Sequence, residues 1–535
     1  MTVINNRKNI LCKVDYPINK MKNINLKNRS NLPNRIFFLL FISALISIQN
    51  ICAEVILPAV FSNGMVLQQQ SNVPIWGWST PGESISVSCN WSKQKVTIIA
   101  DDSGEWNTMV ETPKAGGPYT IIITGKSNSI SIVDVLIGEV WVCSGQSNMV
   151  FSFSNSSNYE HDLDKMNFPN IRYMEVNRQV SEIPLDDAPG SVWEAITPEN
   201  STNYSAVALF FAIKLQKEMK VPVGIIEAAW GGTAIDNWSP AEILKKDKSL
   251  TASINRWKQW EKEFKGDSIG YYTTLAAYEK DEISKKPDMP SSVYINLRPY
   301  RMPSGLYNGM INPIIQYKIK GILWYQGETN RKWSEEYANH FSKMIASWRD
   351  AWQYDIPFYF VQLAPYKGDA QGVSEIMEAQ FNVMRTTKNV GMVVTMDVGN
   401  MDDIHPKDKK TVGGRLANWA LAKTYGFKNI HYSGPLYKGF TRENNQVELL
   451  FDYALSGLEA QGKLNGFEVV EFNDNGTEKS PRPLHVQVDG NELVVSAEKL
   501  KSPFIIRYGW GLNMAKANLF NKEGLPASAF RTLIK

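Results

Sequence analysis

Cysteine and histidine are scarce in this chain, with four and five copies among 535 residues. Cys12 and Cys52 fall in a segment that reads as a removable leader, which leaves Cys89 and Cys143. Two thiols make neither a disulfide framework nor a structural zinc site, so stability has to come from an apolar core. Net charge is also slight: 57 basic and 54 acidic side chains leave +3. There is no basic stripe of the kind that tracks phosphates, so no nucleic-acid partner is expected. The apolar run at 36–48 is too short to span a bilayer.

What is present is globular. Hydrophobic residues make up 43% and charged residues 21% of the chain, and the length suits two to four domains. Lys22, Lys27, Arg29 and Arg35 precede the apolar run, and Ile51-Cys52-Ala53 follows it. That pattern predicts a signal peptide over residues 1–53, cleaved after Ala53, with export to the periplasm or beyond the cell and no membrane span in the mature chain. Bulky Ile51 argues against a lipid at Cys52, and the long basic start makes Met21 an alternative initiator.

Beyond the leader, runs at 73–78, 84–89, 95–99 and 119–124 are separated by turn residues, which predicts a small β-sandwich over 54–134. From 132 the runs become apolar throughout, at 132–142, 223–229, 319–325, 357–364 and 391–396, as strands buried on both faces should be. Amphipathic stretches at 205–220, 334–352 and 410–425 alternate with them, so residues 135–430 are expected to form an α/β domain with a mostly parallel sheet. A charged, helix-prone stretch at about 240–300 reads as an insertion over the site, either a lid or a solvated decoration. Residues 431–535 return to short strands and predict a C-terminal β-rich module or extension.

Sheets of this class carry their working residues at the carboxyl ends of the strands. The first strand ends in Gly145-Gln146-Ser147-Asn148-Met149. A serine there can project its hydroxyl into a cleft beside free backbone N–H groups, although the local pattern taken alone favours a capping serine. Met149 stands where the nucleophile elbow of the α/β-hydrolases requires a glycine. The next strand ends in Trp230-Gly231-Gly232-Thr233, where paired glycines let amides approach an oxyanion or simply form a tight turn. The third leads into Gln326-Gly327-Glu328-Thr329-Asn330, in which Gln326 or Asn330 offers an uncharged donor and Glu328 braces the loop. The last is followed by Asp402-Asp403-Ile404-His405-Pro406. His405 is better placed as a base for Ser147 than His161, His340, His431 or His485, and Asp402 lies three residues before it. A glycosidase pairing Glu328 with Glu227 or Asp402, or a non-catalytic carbohydrate-binding protein, would leave Ser147 and His405 without a role.

Together these four loops, in this order, resemble the sialate O-acetylesterase family of SGNH hydrolases. Phe61-Ser62-Asn63-Gly64-Met65-Val66-Leu67-Gln68 and Tyr307-Asn308-Gly309-Met310-Ile311 add to the resemblance, which covers about residues 54–425. It implies a flavodoxin-like three-layer catalytic domain with accessory β-regions, no metal or other cofactor, and an O-acetylated carbohydrate substrate, typically a sialic acid. Acetyl-xylan or another plant polysaccharide is the alternative. On this resemblance Ser147 is the nucleophile, His405 the base, and Asp402 the acid that orients it, with Asp403, Asp397 or a backbone carbonyl as substitutes. The oxyanion donors implied are Gly232, or its neighbour Gly231, and Gln326. An anionic sugar calls for a basic side chain near the cleft, and Arg178, Arg298, Arg301 and Arg331 stand as equal candidates.

Overall fold

The computed structural model describes residues 54–263 and 298–535. The leader and residues 264–297 of the expected insertion lie outside the described residues. Among the described residues no helix is long and apolar enough to cross a membrane.

The central sheet is built from strands with a two-residue alternation in which both faces are apolar. Its strands are β1 (Ser129–Gly145), β2 (Phe168–Glu175), β3 (Trp193–Ile196), β4 (Val223–Ala229), β5 (Gly321–Tyr325), β6 (Phe358–Val361) and β7 (Val390–Val393). Every residue of β4, β5, β6 and β7 is buried. Val140 and Val142 of β1, Ile322 and Trp324 of β5, and Phe358 and Phe360 of β6 face one apolar layer. Trp141, Cys143, Leu323, Tyr325, Tyr359 and Val361 face the other.

The strand order is β7-β6-β5-β1-β4-β2-β3, parallel except for β3 against β2. Without the β2–β3 edge, the parallel strands run second, first, third, fourth and fifth along the chain. That is the flavodoxin-like order, with its switch point between β1 and β5.

The helices that open at this sheet's carboxyl edge or pack on its faces include α1 (Ser147–Val150), α2 (Ala206–Met219), α3 (Ser334–Trp352), α4 (Ala370–Thr386) and α5 (Lys409–Trp419). Helices α2 and α5 cover one face of the sheet, and α3 and α4 cover the other. Ser205 caps α2 by accepting from Ala208 N–H, and Lys220 ends it in a left-handed conformation. The buried stripe of α3 contains Tyr337, Phe341, Met344, Ile345, Trp348 and Trp352, as an amphipathic helix packed on a sheet requires. Trp324 of β5 meets Trp348 edge-on at 5.9 Å and Trp238 at 6.2 Å, which fixes that layer.

The boundary expected at 134/135 falls inside a strand. β1 is 17 residues long; its first half pairs with Gly116–Thr124 of the N-terminal β-region and its second half with β4 and β5. The polar Asp134 marks a kink within this strand. It has a φ of 57°, and its carboxylate pairs with the Arg172 guanidinium at 2.5 and 3.1 Å. The C-terminal residues form two four-stranded antiparallel arrangements and a two-stranded one.

Candidate active site

At the end of β1 the chain passes so close to β5 that only glycine fits. Gly145 has a φ of 139°, and a Cβ there would lie 2.2 Å from the Tyr325 carbonyl oxygen. The Gln146 N–H donates to that same carbonyl at 2.9 Å. Two residues beyond the glycine, Ser147 opens α1 at the carboxyl edge of the sheet, where the switch point leaves a crevice. Ser147 and His405 are both partly exposed. The Ser147 hydroxyl and His405 Nε2 are 2.8 Å apart, close enough for direct proton transfer.

The acids around His405 are arranged differently from the expectation. Asp402 points outward, 71% exposed, and pairs with Lys367. Asp397 holds Arg415 through two hydrogen bonds of 2.7 and 2.6 Å. Asp403 accepts from the His405 main-chain N–H at 2.9 Å and so fixes the loop rather than the ring. Among the described residues, none of the three meets the imidazole in a hydrogen bond or ion pair. Asp402 is therefore corrected from an orienting acid to a surface partner of Lys367: in this loop the turn that presents His405 directs Asp402 to solvent. The imidazole packs instead against the Phe151 ring, at 6.3 Å between centroids.

Gln326 also has a different place from the expected one. It is wholly buried, and its amide nitrogen lies 2.7 Å from Asn330 Oδ1 and 3.1 Å from both Gln146 Oε1 and the Thr233 carbonyl. Tyr337 donates to its side-chain oxygen at 3.0 Å. With its donors already engaged, Gln326 locks the first, second and third loops together and does not serve as an open oxyanion donor. Asn330, the other candidate, accepts from Ile235 N–H at 3.1 Å and from Gln326, which leaves its Nδ2 without a partner among the described residues. Gly231 lies directly against the serine, since a Cβ on it would stand 3.4 Å from Ser147 Cβ. Gly232, with a φ of 74°, faces Tyr300 and Arg301 instead. The main-chain N–H groups of Ser147, Gly231 and Gly232 make no hydrogen bond within the described residues.

A buried polar network lies behind the serine and the histidine. The Asn148 amide donates to Glu328 Oε1 at 2.5 Å and to the Ile404 carbonyl at 3.0 Å, and its oxygen accepts from Lys409 Nζ at 2.5 Å. The residue after Ser147 is thus tied to the residue before His405. Burial raises the Glu328 carboxyl above its ordinary range, against the opposing pull of Asn148. Burial also brings the Lys409 ammonium down to about 7, with Glu328, Asp403 and Asp408 pulling the other way. Sequence reading singled out neither Asn148 nor Lys409, whose neighbours Lys407, Asp408 and Lys410 resemble a solvated charge cluster.

The other candidates are spoken for. His340 is enclosed within α3, bonded to Ser239, and its imidazole is lowered by burial to about 3. His161 pairs with Asp162. Glu227 sits inside the sheet with the Tyr173 hydroxyl on its carboxylate, so the carboxylates of a glycosidase do not face one another across a cleft.

Over residues 137–272 and 295–422 the chain matches the family described as carbohydrate esterase, sialic acid-specific acetylesterase. The sialate O-acetylesterase of Mus musculus is 30% identical over 491 residues, covering 84% of this chain and 88% of that protein. The chain belongs to this esterase family. The Homo sapiens sialate O-acetylesterase is 28% identical over 495 residues, with 84% and 86% coverage. The crystal structure of a carbohydrate acetylesterase from Xanthomonas citri has a TM-score of 0.75 and 30% identity, and covers 90% of this chain and 99% of that one. As a family member the protein is an esterase acting on carbohydrate O-acetyl groups. The SGNH-like α/β fold expected from the four loops is the fold found.

Proposed function

We propose that the protein removes O-acetyl groups from sialic acid, with Ser147 as nucleophile and His405 as general base. The observation that carries the residue assignment is the 2.8 Å contact between the Ser147 hydroxyl and His405 Nε2 at the carboxyl edge of a parallel sheet. The substrate assignment is supported by relatives of 28–30% identity that bear the name sialate O-acetylesterase.

The Ser147 oxygen attacks the acetyl carbonyl as its proton passes to Nε2, and the C=O π pair moves onto the oxygen. The free N–H groups of Ser147 and of the Gly231–Gly232 turn, with the Asn330 amide, are the available donors to that oxyanion. As the tetrahedral species collapses, the bond between the acetyl carbon and the sugar oxygen breaks, and that oxygen takes the proton from His405 and leaves as the alcohol. Water then attacks the acetyl-serine with His405 again as base, releasing acetate and restoring the hydroxyl. With no carboxylate among the described residues bonded to the imidazole, Ser147 and His405 act as a dyad, held by the Asp403 contact, the Asn148–Ile404 bond and the Phe151 ring. The basic stretch and apolar run within residues 1–53 support the further reading that the protein is exported and works in the periplasm or outside the cell.

The test is acetate release from O-acetylated sialic acid and from acetylated xylan, by wild type, Ser147→Ala and His405→Ala. Release from the sialic acid, with kcat lowered about 10³- to 10⁶-fold in either variant, is the expected result. Serine-dependent release from xylan alone keeps the dyad and moves the substrate to plant polysaccharide. Wild-type turnover in Ser147→Ala removes the mechanism.

A further inference from the structure

Arg301 closes the short turn Pro299–Arg301, which brings the chain back to the site after the insertion. Its carbonyl accepts from the Asn237 amide at 2.7 Å, so the main chain is fixed there. Its guanidinium reaches the Gly231–Gly232 turn: Nη2 lies 3.8 Å from where a Cβ on Gly232 would stand, with the Tyr300 ring and hydroxyl at 3.9 Å. The glycine one residue earlier touches Ser147. Trp230 stacks on Tyr300 at 5.1 Å, so a cation and two aromatic rings form one wall beside the nucleophile.

The four arginines open from the sequence are now distinguishable. Arg178 pairs with Glu175 at 3.3 Å. Arg331 donates to the Glu328 carbonyl at 2.8 Å and pairs with Asp369. Arg298 donates to the Tyr300 hydroxyl at 2.8 Å. Arg301 makes no ion pair with any carboxylate among the described residues, and its Nε is buried without a hydrogen-bond partner. The buried Asp236 carboxylate acts on this guanidinium from a distance and the Tyr300 hydroxyl lies beside it, but no carboxylate among the described residues closes on its fork, whose geometry matches a planar carboxylate.

We infer that Arg301 is the specificity residue of this esterase, receiving a carboxylate carried by the acetylated sugar while the ester lies against Ser147. Trp230 and Tyr300 supply the apolar wall for the sugar ring. This assignment rests on the esterase site at Ser147, and it calls for a preference for acidic over neutral acetylated sugars.

The experiment compares kcat/KM for two matched pairs, O-acetylated sialic acid with its C1 carboxamide, and an O-acetylated galacturonoside with the corresponding galactoside. Wild type, Arg301→Gln and Arg301→Lys are measured on all four, and the readout is the acid-to-neutral ratio, so that a general loss of folding or activity cancels. The wild type is expected to prefer the acid. Arg301→Gln should reduce the ratio about 10- to 100-fold, the range of a charge-assisted hydrogen-bonded pair, and Arg301→Lys should restore part of it. A wild type with no acid preference in either pair overturns the inference, as does a ratio unchanged in Arg301→Gln. Should the sialic acid pair not be hydrolysed while the galacturonoside pair shows the Arg301-dependent ratio, the sialic acid reading falls and the Arg301 assignment stands.

Discussion

Asp402 and Asp403 are adjacent in sequence and do different work. Asp402 is a solvent-facing partner of Lys367, and water and salt screen such a surface pair. Asp402→Asn is accordingly expected to keep kcat within about fivefold. Asp403→Ala frees the His405 main chain and should lower kcat about 10- to 100-fold, because small misplacements of a catalytic group are costly. Measuring kcat for the pair under saturating substrate decides the matter, and the reverse order would return Asp402 to the role its spacing suggested. Lys409 gives a second residue-scale prediction. Its folded pKa of about 7 lies below the ordinary lysine value of 10.5, so between these limits the unfolded chain holds the extra proton. Stability owed to this group therefore rises as pH increases from about 7 towards 10. In urea unfolding, the stability of wild type relative to Lys409→Met should climb by about 1 kcal/mol per pH unit between pH 7 and 9. A difference that does not change with pH would mean that the lysine is not held neutral. The nucleophile and base were legible in the sequence because Ser147 follows the end of a strongly apolar strand and His405 is one of few histidines, in a loop beyond the last such strand. The support was not: Lys409 lies in a charged run, and only the packing of Phe151 and Tyr325 around it reveals burial.

The serine is presented by β1, β5 and the turn between β1 and α1, and the two strands meet at Gly145. Its φ of 139° and the 2.2 Å approach to the Tyr325 carbonyl leave no room for a methyl group. Gly145→Ala must push β1 away from β5 or rotate the turn, and either movement displaces Ser147 from His405. The expected outcome is a loss of about 2–4 kcal/mol in urea unfolding, with much slower labelling of Ser147 by a serine-reactive phosphonate. Normal labelling together with normal stability would show that the turn tolerates a side chain. At this scale the sequence was most readable where periodicity was strong: β4 and α3 begin and end where the apolar patterns at 223–229 and 334–352 do. Strand β2, the edge strand β3 and helix α4 were not singled out. Phe168–Glu175 is buried over only half its length, and α4 follows the glycine-containing stretch Lys367–Asp369 without a strong apolar run before it. The boundary set at 134/135 followed the change from alternating to continuous apolar pattern, and that change occurs within one strand that serves both regions.

The β-rich C-terminal region is built into the catalytic layer and reaches towards the histidine loop. Gln362 donates to Ser528 at 2.8 Å, Gly511 N–H to Ser374 at 2.8 Å, and Arg531 to Glu378 at 2.8 Å. Trp510 is buried, with its indole N–H 3.3 Å from Gln371, and residues from all three parts of the chain share one apolar cluster. The Met514 sulfur accepts from Tyr366 N–H, and the Lys367 N–H next to it donates to the Met401 carbonyl, four residues before His405. The accessory region therefore supports the base as well as the fold. At the other end β1 runs unbroken from the N-terminal β-region to Gly145, so neither accessory part can unfold without exposing the surface that packs the catalytic sheet. Two results follow for the chain beginning at Glu54. Calorimetry should show one cooperative transition, and truncation after residue 430 should yield insoluble or unfolded protein, because it uncovers the apolar face of α4 and strands the buried Gln362 and Ser374. A soluble, active truncation, or a C-terminal transition well separated from that of the catalytic sheet, would make the region an independent module and leave the His405 loop to hold itself.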